Sequence, residues 1–213
     1  MKETDMLYSQ NLWLFFVLML GIILVPGMDM LFVLTNALTG GRRAGLTATS
    51  GIMVGGALHT GFGAAGVSAL LLWAPSLLTG LVLVGALYLA WIGVTLLRSS
   101  LVIEGIGTAT RRPLPTVFRQ GLLTCILNPK AYLFTLAVYP QFIKPQYGSV
   151  ALQALAIGAV CALTQLTIYG GLAIAASRSR DAFIGNPGMA TAIGRAAGVI
   201  FILVAGLTAW HGA

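Results

Sequence analysis

Charged residues are scarce in this chain of 213 residues: they make up 8% of it, and only five are acidic. Soluble domains carry roughly 25% charged residues, so the composition excludes an ordinary soluble globular domain. The formal net charge is +7, but so few basic residues cannot form the dense positive surface that nucleic acids bind. We therefore expect no nucleic-acid partner and interpret the basic residues as signals of orientation in a membrane.

Cysteine and clustered polar groups are also scarce, which argues against an enzyme. Cys125 and Cys161 each lie in an apolar stretch, without CxxC or Cys/His spacing, so we expect small buried side chains, no metal site and no cofactor. An intramembrane aspartyl hydrolase needs two acids within spans, and Asp29 alone is available. No Ser/His/Asp set stands at membrane depth either.

Apolar residues make up 58% of the chain and gather into six runs near the length of about 20 residues that a membrane helix needs. The leader "MKETD" has one Lys and two acids, the wrong sign for a signal peptide, so we expect the first run to be a retained span. We predict an all-α membrane protein of one domain (1–213) with six transmembrane helices. The runs are 12–36, 46–72, 76–97, 120–143, 149–176 and 191–210.

Basic residues are distributed unequally between the two sides of these spans, which predicts the orientation. The side that follows spans 1, 3 and 5 should be cytoplasmic, and both termini then lie on the non-cytoplasmic side with Lys2 and Lys144. Arg42 and Arg43 in the first cytoplasmic loop are interpreted as an orientation signal, with gating or lipid-headgroup binding left open. The cytoplasmic set is Arg42, Arg43, Arg98, Arg111, Arg112, Arg119, Arg178, Arg180 and Arg195.

A helix break and a carboxylate interrupt the first apolar run. In "LVPGMDML" (24–31), Pro26 lacks a backbone donor, Gly27 loosens the helix and Asp29 brings a charge. Asp29 is the only acid well inside a predicted span. A charge at mid-membrane costs at least about 2.5–3.5 kcal/mol, so such groups usually face a cavity and have a partner.

The fourth run has a matching interruption, Asn128-Pro129-Lys130 in "LNPKAYLF" (127–134), and Lys130 is the only Lys or Arg well inside a span. At 1.5 Å per residue, Asp29 lies ~14 Å and Lys130 ~15 Å from the cytoplasmic ends of their spans. The two charges can therefore meet at one depth. They suit a zwitterion such as an amino acid, and substrate binding would switch Asp29 between ionised and protonated forms. A structural ion pair between spans 1 and 4, in a passive channel or a structural membrane protein, is the alternative.

Other polar residues could share this cavity. His59, in the middle of span 2, is either a proton relay or a neutral histidine bonded to a carbonyl of a neighbouring helix. Asn36 and Gln165 either line the cavity or bond between helices. In span 2, Gly51 and Gly55 form a GxxxG step, from which we expect close packing of helices.

The two interruptions also suggest an internal repeat. Pro26 and Pro129 are about half the chain length apart, and each is followed by a Leu-Phe pair. We expect two inverted three-helix repeats, 1–105 and 106–213, with interrupted helices 1 and 4. This plan is typical of secondary transporters that work by alternating access.

Two segments carry a resemblance to a known family. The stretches "PGMDMLFVLTNALTGGRRAGLTATSGIMVG" and "LLTCILNPKAYLFTLAVYPQF" resemble the signature regions of the lysine exporter and homoserine/threonine exporter (LysE/RhtB) family. The resemblance implies efflux of amino acids or related metabolites across the bacterial inner membrane, driven by protons. It leaves the solute and any homo-oligomer open.

The resemblance also implies which residues matter. One motif is matched by Pro26, Gly27 and Asp29, and the other by Asn128, Pro129 and Lys130; His59 matches a position that is often His. The family often has Pro-Gly-Pro-Asp in the first motif, where this chain has Met28 in place of the second Pro.

Overall fold

A computed structural model describes residues 7–73 and 112–178 and the isolated positions 80, 87, 90, 91, 94, 199, 202 and 203. Within the two continuous ranges the regular elements are all helical.

The first predicted span is a helix broken at its proline. Helix α1 (Tyr8–Leu24) has 17 residues, fewer than the roughly 20 that cross a bilayer. It ends where Val25 adopts an extended backbone (φ −64°, ψ 118°) and Pro26 offers no amide hydrogen. Helix α2 (Met28–Trp73) then begins, and its first part, 28–40, completes the predicted span. The predicted interruption of helix 1 is confirmed.

Helix α2 consists of two parts because its backbone leaves the helical range at Gly41 (φ 75°, ψ −173°). A positive φ is readily adopted only by glycine, so the chain can turn here and start the long second part, 42–73. Arg42 and Arg43 follow the turn directly and are exposed.

The fourth predicted span is likewise broken. Helices α3 (Leu114–Ile126) and α4 (Pro129–Phe142) meet at a bend of 50°, and the side chain of Asn128 accepts a hydrogen bond from the Lys130 amide at the start of α4. The predicted interruption at Pro129 is therefore confirmed. At its other end α4 is tied to α1, because Asn11 Nδ2 donates to the Phe142 carbonyl (2.8 Å).

The fifth predicted span is continuous but changes its winding. After a 3₁₀ turn (Pro145–Tyr147), helix α5 (Val150–Gln165) passes through a π-helical turn (Leu166–Gly170) into helix α6 (Gly171–Arg178). Such π turns are rare and often mark functional positions. This one places Gln165 and Tyr169 near the breaks of the other two spans.

Helices α2 and α3 pack at backbone distance through glycines. A Cβ atom on Gly51 would collide with the Phe118 carbonyl oxygen, and one on Gly55 would lie 2.6 Å from Cys125 Cβ. From the other side, a Cβ atom on Gly121 would lie 2.7 Å from the Ala48 carbonyl oxygen. The close packing expected at Gly51 and Gly55 is confirmed.

The predicted count of six spans is only partly covered by the described residues. By length and composition, Met28–Ala69 and Val150–Arg178 can cross a membrane, and the bent pair α3–α4 makes three if it is counted as one span. The predicted spans 76–97 and 191–210 lie outside the two continuously described ranges and are represented only by isolated positions. Lys2 and the basic loop positions Arg98, Arg111, Arg180 and Arg195 lie outside the described residues.

Candidate functional site

The two helix breaks converge on one small cavity in the interior. Its volume is about 40 Å³, room for about one water molecule. Side chains from α1, α2, α3, α4, α5 and the π-helical turn surround it. The polar or ionisable lining residues are Asp29, His59, Cys125, Lys130, Thr135, Tyr139, Cys161, Gln165 and Tyr169, and the apolar ones include Met19, Ile22, Ile23 and Phe134.

Lys130 bonds to the end of the broken helix α1. Its Nζ donates to the carbonyl oxygens of Ile22 (3.0 Å) and Val25 (2.8 Å). In an unbroken helix the Ile22 carbonyl would accept from the amide of residue 26, and Pro26 has none. A cation at a helix C-terminus is also favoured by the helix dipole. Gly27 makes room for this contact, since a Cβ atom there would lie 3.0 Å from Lys130 Nζ.

His59 makes the corresponding contact at the other break. Its Nε2 lies 3.0 Å from the Cys125 carbonyl oxygen, which has lost the amide hydrogen that Pro129 would otherwise supply. Because a carbonyl only accepts, His59 Nε2 must carry the hydrogen. Such a bond, from a neutral His59 to a carbonyl of a neighbouring helix, is the alternative to a proton relay that the sequence left open. The other ring nitrogen, Nδ1, is not used in this bond.

Asp29 is buried beside these groups in the first turn of α2, with 4% of its surface exposed. Its polar neighbours are Lys130, Asn128 and His59, yet its Oδ1 has no hydrogen-bond partner. Asp29 and Lys130, both described residues, are not joined by an ion pair within 4.0 Å. The Lys130 ammonium is held by carbonyl oxygens instead, so the direct ion pair of the structural alternative is absent from this conformation.

Two further buried polar atoms near the cavity lack partners. Among the described residues, neither Asn128 Nδ2 nor Gln165 Oε1 has a partner within hydrogen-bond geometry, and the Asn128 side chain lies beside the Asp29 carboxylate. Gly56 provides the space for Gln165, because a Cβ atom on it would lie 2.9 Å from the amide atoms of that side chain. Buried polar groups are nearly always hydrogen-bonded, so this combination of free donor, free amide oxygen and free carboxylate oxygen suits a small polar ligand.

The structure brings most of the predicted site residues together. Asp29, His59 and Lys130 line the cavity, Asn128 adjoins it, and Pro26, Gly27 and Pro129 form the breaks. Asn36, by contrast, bonds within its own helix to the Phe32 carbonyl (2.8 Å), and Arg42 and Arg43 are exposed and do not line the cavity.

Sequence reasoning missed an aromatic part of the site. Tyr139 lines the cavity, and its hydroxyl lies 2.9 Å from the Thr60 hydroxyl; Tyr169 joins it from the π-helical turn. Both tyrosines are fully buried. In nearly all-apolar segments, the sequence around a tyrosine does not show whether it faces a cavity or lies in the core. The one indirect sign was Thr60, a polar residue adjacent to His59 that could bond to a hydroxyl group near the site.

The family model described as LysE type translocator matches residues 20–212. This chain belongs to the LysE family. Both helix breaks and all the cavity-lining residues except Met19 fall within the matched range. No solved structure matches the chain significantly.

Several curated relatives are efflux proteins. The leucine efflux protein of Salmonella typhimurium is 35% identical over 134 residues, 62% of this chain and 63% of the relative, so the match spans less than two thirds of that protein. The homoserine/homoserine lactone efflux protein of the same organism is 29% identical over 188 residues, 87% of this chain and 89% of the relative. An uncharacterised membrane protein of Pseudomonas aeruginosa is 31% identical over 182 residues, 78% and 82% of the two chains.

As a LysE family member with long apolar helices, the chain is a multi-pass membrane protein. Family members of this kind are transporters rather than enzymes.

Proposed function

We propose that this protein exports an amino acid or a related zwitterion across the bacterial inner membrane by proton antiport, and that the cavity between the two helix breaks is its substrate site. The observation that carries the proposal is the set of unpartnered polar atoms around that cavity, Asp29 Oδ1, Asn128 Nδ2 and Gln165 Oε1. Relatives named for leucine and for homoserine or its lactone support a substrate of this class.

Each end of a zwitterion has a counterpart in the site. The substrate ammonium would bond to Asp29 Oδ1, and Gln165 Oε1 is a second acceptor for it. The substrate carboxylate would accept from Asn128 Nδ2 and from the third N–H of Lys130, whose ammonium has three donors and uses two on carbonyls. The aliphatic wall formed by Met19, Ile22 and Ile23 favours an uncharged side chain.

Proton coupling would depend on Asp29. A carboxylate with no cation bonded to it can hold either the substrate ammonium or a proton, but not both. Release of substrate on the outer side would let a proton bind there, and its loss to the cytoplasm would prepare Asp29 for the next substrate. His59 Nδ1, the nitrogen not committed to the Cys125 carbonyl, is the proposed relay position.

Alternating access is supported by the size of the cavity. Ligand pockets usually enclose about 300–1,000 Å³, whereas this one holds about 40 Å³. The cavity in this conformation is therefore too small for an amino acid, and a substrate would fit only if the helices around it moved apart.

The inverted-repeat plan, 1–105 and 106–213, also stays a proposal, and the order of elements in the described parts supports it. Each half has a helix, a break at a proline and a short helix. A glycine with positive φ follows (Gly41, 75°; Gly148, 90°), and then a long helix. In inverted-repeat transporters, the interrupted helices of the two halves together form the substrate site.

The test is transport in inverted membrane vesicles. With a proton gradient imposed, vesicles that contain the protein should accumulate a labelled amino acid against its concentration gradient, which a passive channel cannot do. Asp29→Asn should abolish accumulation while the protein still inserts. Thr49→Val is the matched control, because Thr49 is buried in the same helix but bonds to the Gly45 carbonyl and does not line the cavity. Undiminished accumulation by Asp29→Asn would refute the coupling role.

A further inference from the structure

The two prolines that break the helices each leave one carbonyl without its helical donor. For Pro26 this is the carbonyl of Ile22, and for Pro129 it is that of Cys125, four residues earlier in each case. Each of these two carbonyls is bonded instead by a basic side chain from another helix: Ile22 by Lys130 Nζ (3.0 Å) and Cys125 by His59 Nε2 (3.0 Å).

We infer that Lys130 and His59 are reciprocal positioning residues, which replace the amide hydrogens missing at Pro26 and Pro129 and thereby hold Asp29 and Asn128 in place around the cavity. Nothing in the family match assigns this role to either side chain. The inference concerns how the site is held together, so it does not depend on whether protons drive transport.

The two contacts are reciprocal because each crosses between the halves of the chain. Lys130 belongs to the second half and bonds to the break of the first, whereas His59 belongs to the first half and bonds to the break of the second. Opening the cavity to admit a substrate requires the two breaks to separate, and that movement must stretch or exchange at least one of these bonds.

Both contacts act on residues that face the substrate site. Beyond the capped end of α1, the chain turns and presents Asp29 in the first turn of α2. Beyond Cys125, it presents Asn128, whose own amide also donates to the Cys125 carbonyl (3.1 Å). If Lys130 is lost, the Ile22 carbonyl is left as an unsatisfied acceptor, whereas without His59 the Cys125 carbonyl keeps only the bond from the Asn128 amide. In either case the adjoining break loses a bond to the other half of the chain and is free to shift.

The first experiment compares substitutions that keep or remove a donor, in the full-length protein purified in detergent. Lys130→Gln and His59→Gln each retain an N–H donor, whereas Lys130→Met and His59→Leu do not. We expect the Met and Leu variants to lower the midpoint of thermal unfolding by several degrees and the Gln variants to retain most of it.

The second experiment restores the missing amide hydrogen. In a Pro26→Ala background residue 26 can again donate to the Ile22 carbonyl, so Lys130→Met should cost markedly less stability than it does alone. Pro129→Ala should likewise relieve His59→Leu. The crossed pairs, Pro26→Ala with His59→Leu and Pro129→Ala with Lys130→Met, are the matched controls and should be additive.

The inference is overturned if the Gln variants are as unstable as the Met and Leu variants, or if matched and crossed pairs show the same coupling. Because unfolding is measured without substrate or gradient, a failure of the proposed transport function leaves these outcomes unchanged.

Discussion

At the scale of single residues, the two polar atoms of the Asn128 side chain have different roles. Its Oδ1 accepts from the Lys130 amide (3.0 Å) and so caps the N-terminus of α4, a position where Asn, Asp and Ser are favoured. Its Nδ2 is buried without a partner. One amide group therefore starts a helix and has a donor left for the proposed substrate site.

We expect Asn128→Ser to weaken substrate binding while the fold is kept. Serine still caps a helix, but the amide donor is lost, and one hydrogen bond to a charged group corresponds to roughly 10-fold in affinity. The measurement is competition for transport by an amino acid and by its decarboxylated amine. The amino acid should lose more affinity than the amine, and an equal loss for both would argue against a carboxylate at Asn128.

At the scale of helices, the contact between α2 and α3 depends on missing side chains. Gly51 and Gly55 on one helix and Gly121 on the other let the two backbones approach, and in membranes such packing replaces the hydrophobic effect as the source of helix association. The α2–α3 contact joins the first half of the chain to the second, next to both breaks.

We expect Gly51→Ala to destabilise the protein clearly, because the added methyl group would collide with the backbone of Phe118 and force α2 and α3 apart. Gly61→Ala is the matched control in the same helix, since a Cβ atom there meets none of the described residues within 4 Å. It should be neutral or stabilising by up to about 1 kcal/mol. Thermal unfolding in detergent measures both, and equal midpoints for the two variants would contradict this packing.

At the scale of the whole molecule, the unequal distribution of basic residues predicts the orientation in the membrane. Arg42 and Arg43 are exposed after the turn at Gly41. The turn around Gln146, which follows the C-terminal end of α4, is also exposed but has few charges. The native cysteines, Cys125 and Cys161, are free and buried, so they leave the background low for labelling of introduced cysteines.

We expect Arg43→Cys to react with a membrane-impermeant maleimide only in inverted vesicles and Gln146→Cys to react in intact cells. The physical reason is the positive-inside rule, which keeps the arginine loop in the cytoplasm. Gel shifts after labelling measure the result. Reaction of Arg43→Cys from outside would reverse the proposed topology, with both termini then in the cytoplasm.

The sequence by itself determined that this is a helical membrane protein of the LysE family. It also determined the positions at which two of the helices break, and it identified Asp29 and Lys130 as the anomalous charges within apolar runs. These features are local: composition, a proline's missing amide hydrogen and a charge in an apolar run can all be read along the chain.

Only the tertiary structure decided which donor meets which acceptor. The sequence placed Lys130 and Asp29 at one depth, but it did not show that Lys130 bonds to the carbonyls of Ile22 and Val25. Nor did it link His59 to Cys125, or Tyr139 to Thr60. The physical reason is rotational phase: nearly uniform apolar helices have no hydrophobic face to show which side points inward. The packing of helices around the two breaks therefore selects the residues that share the cavity.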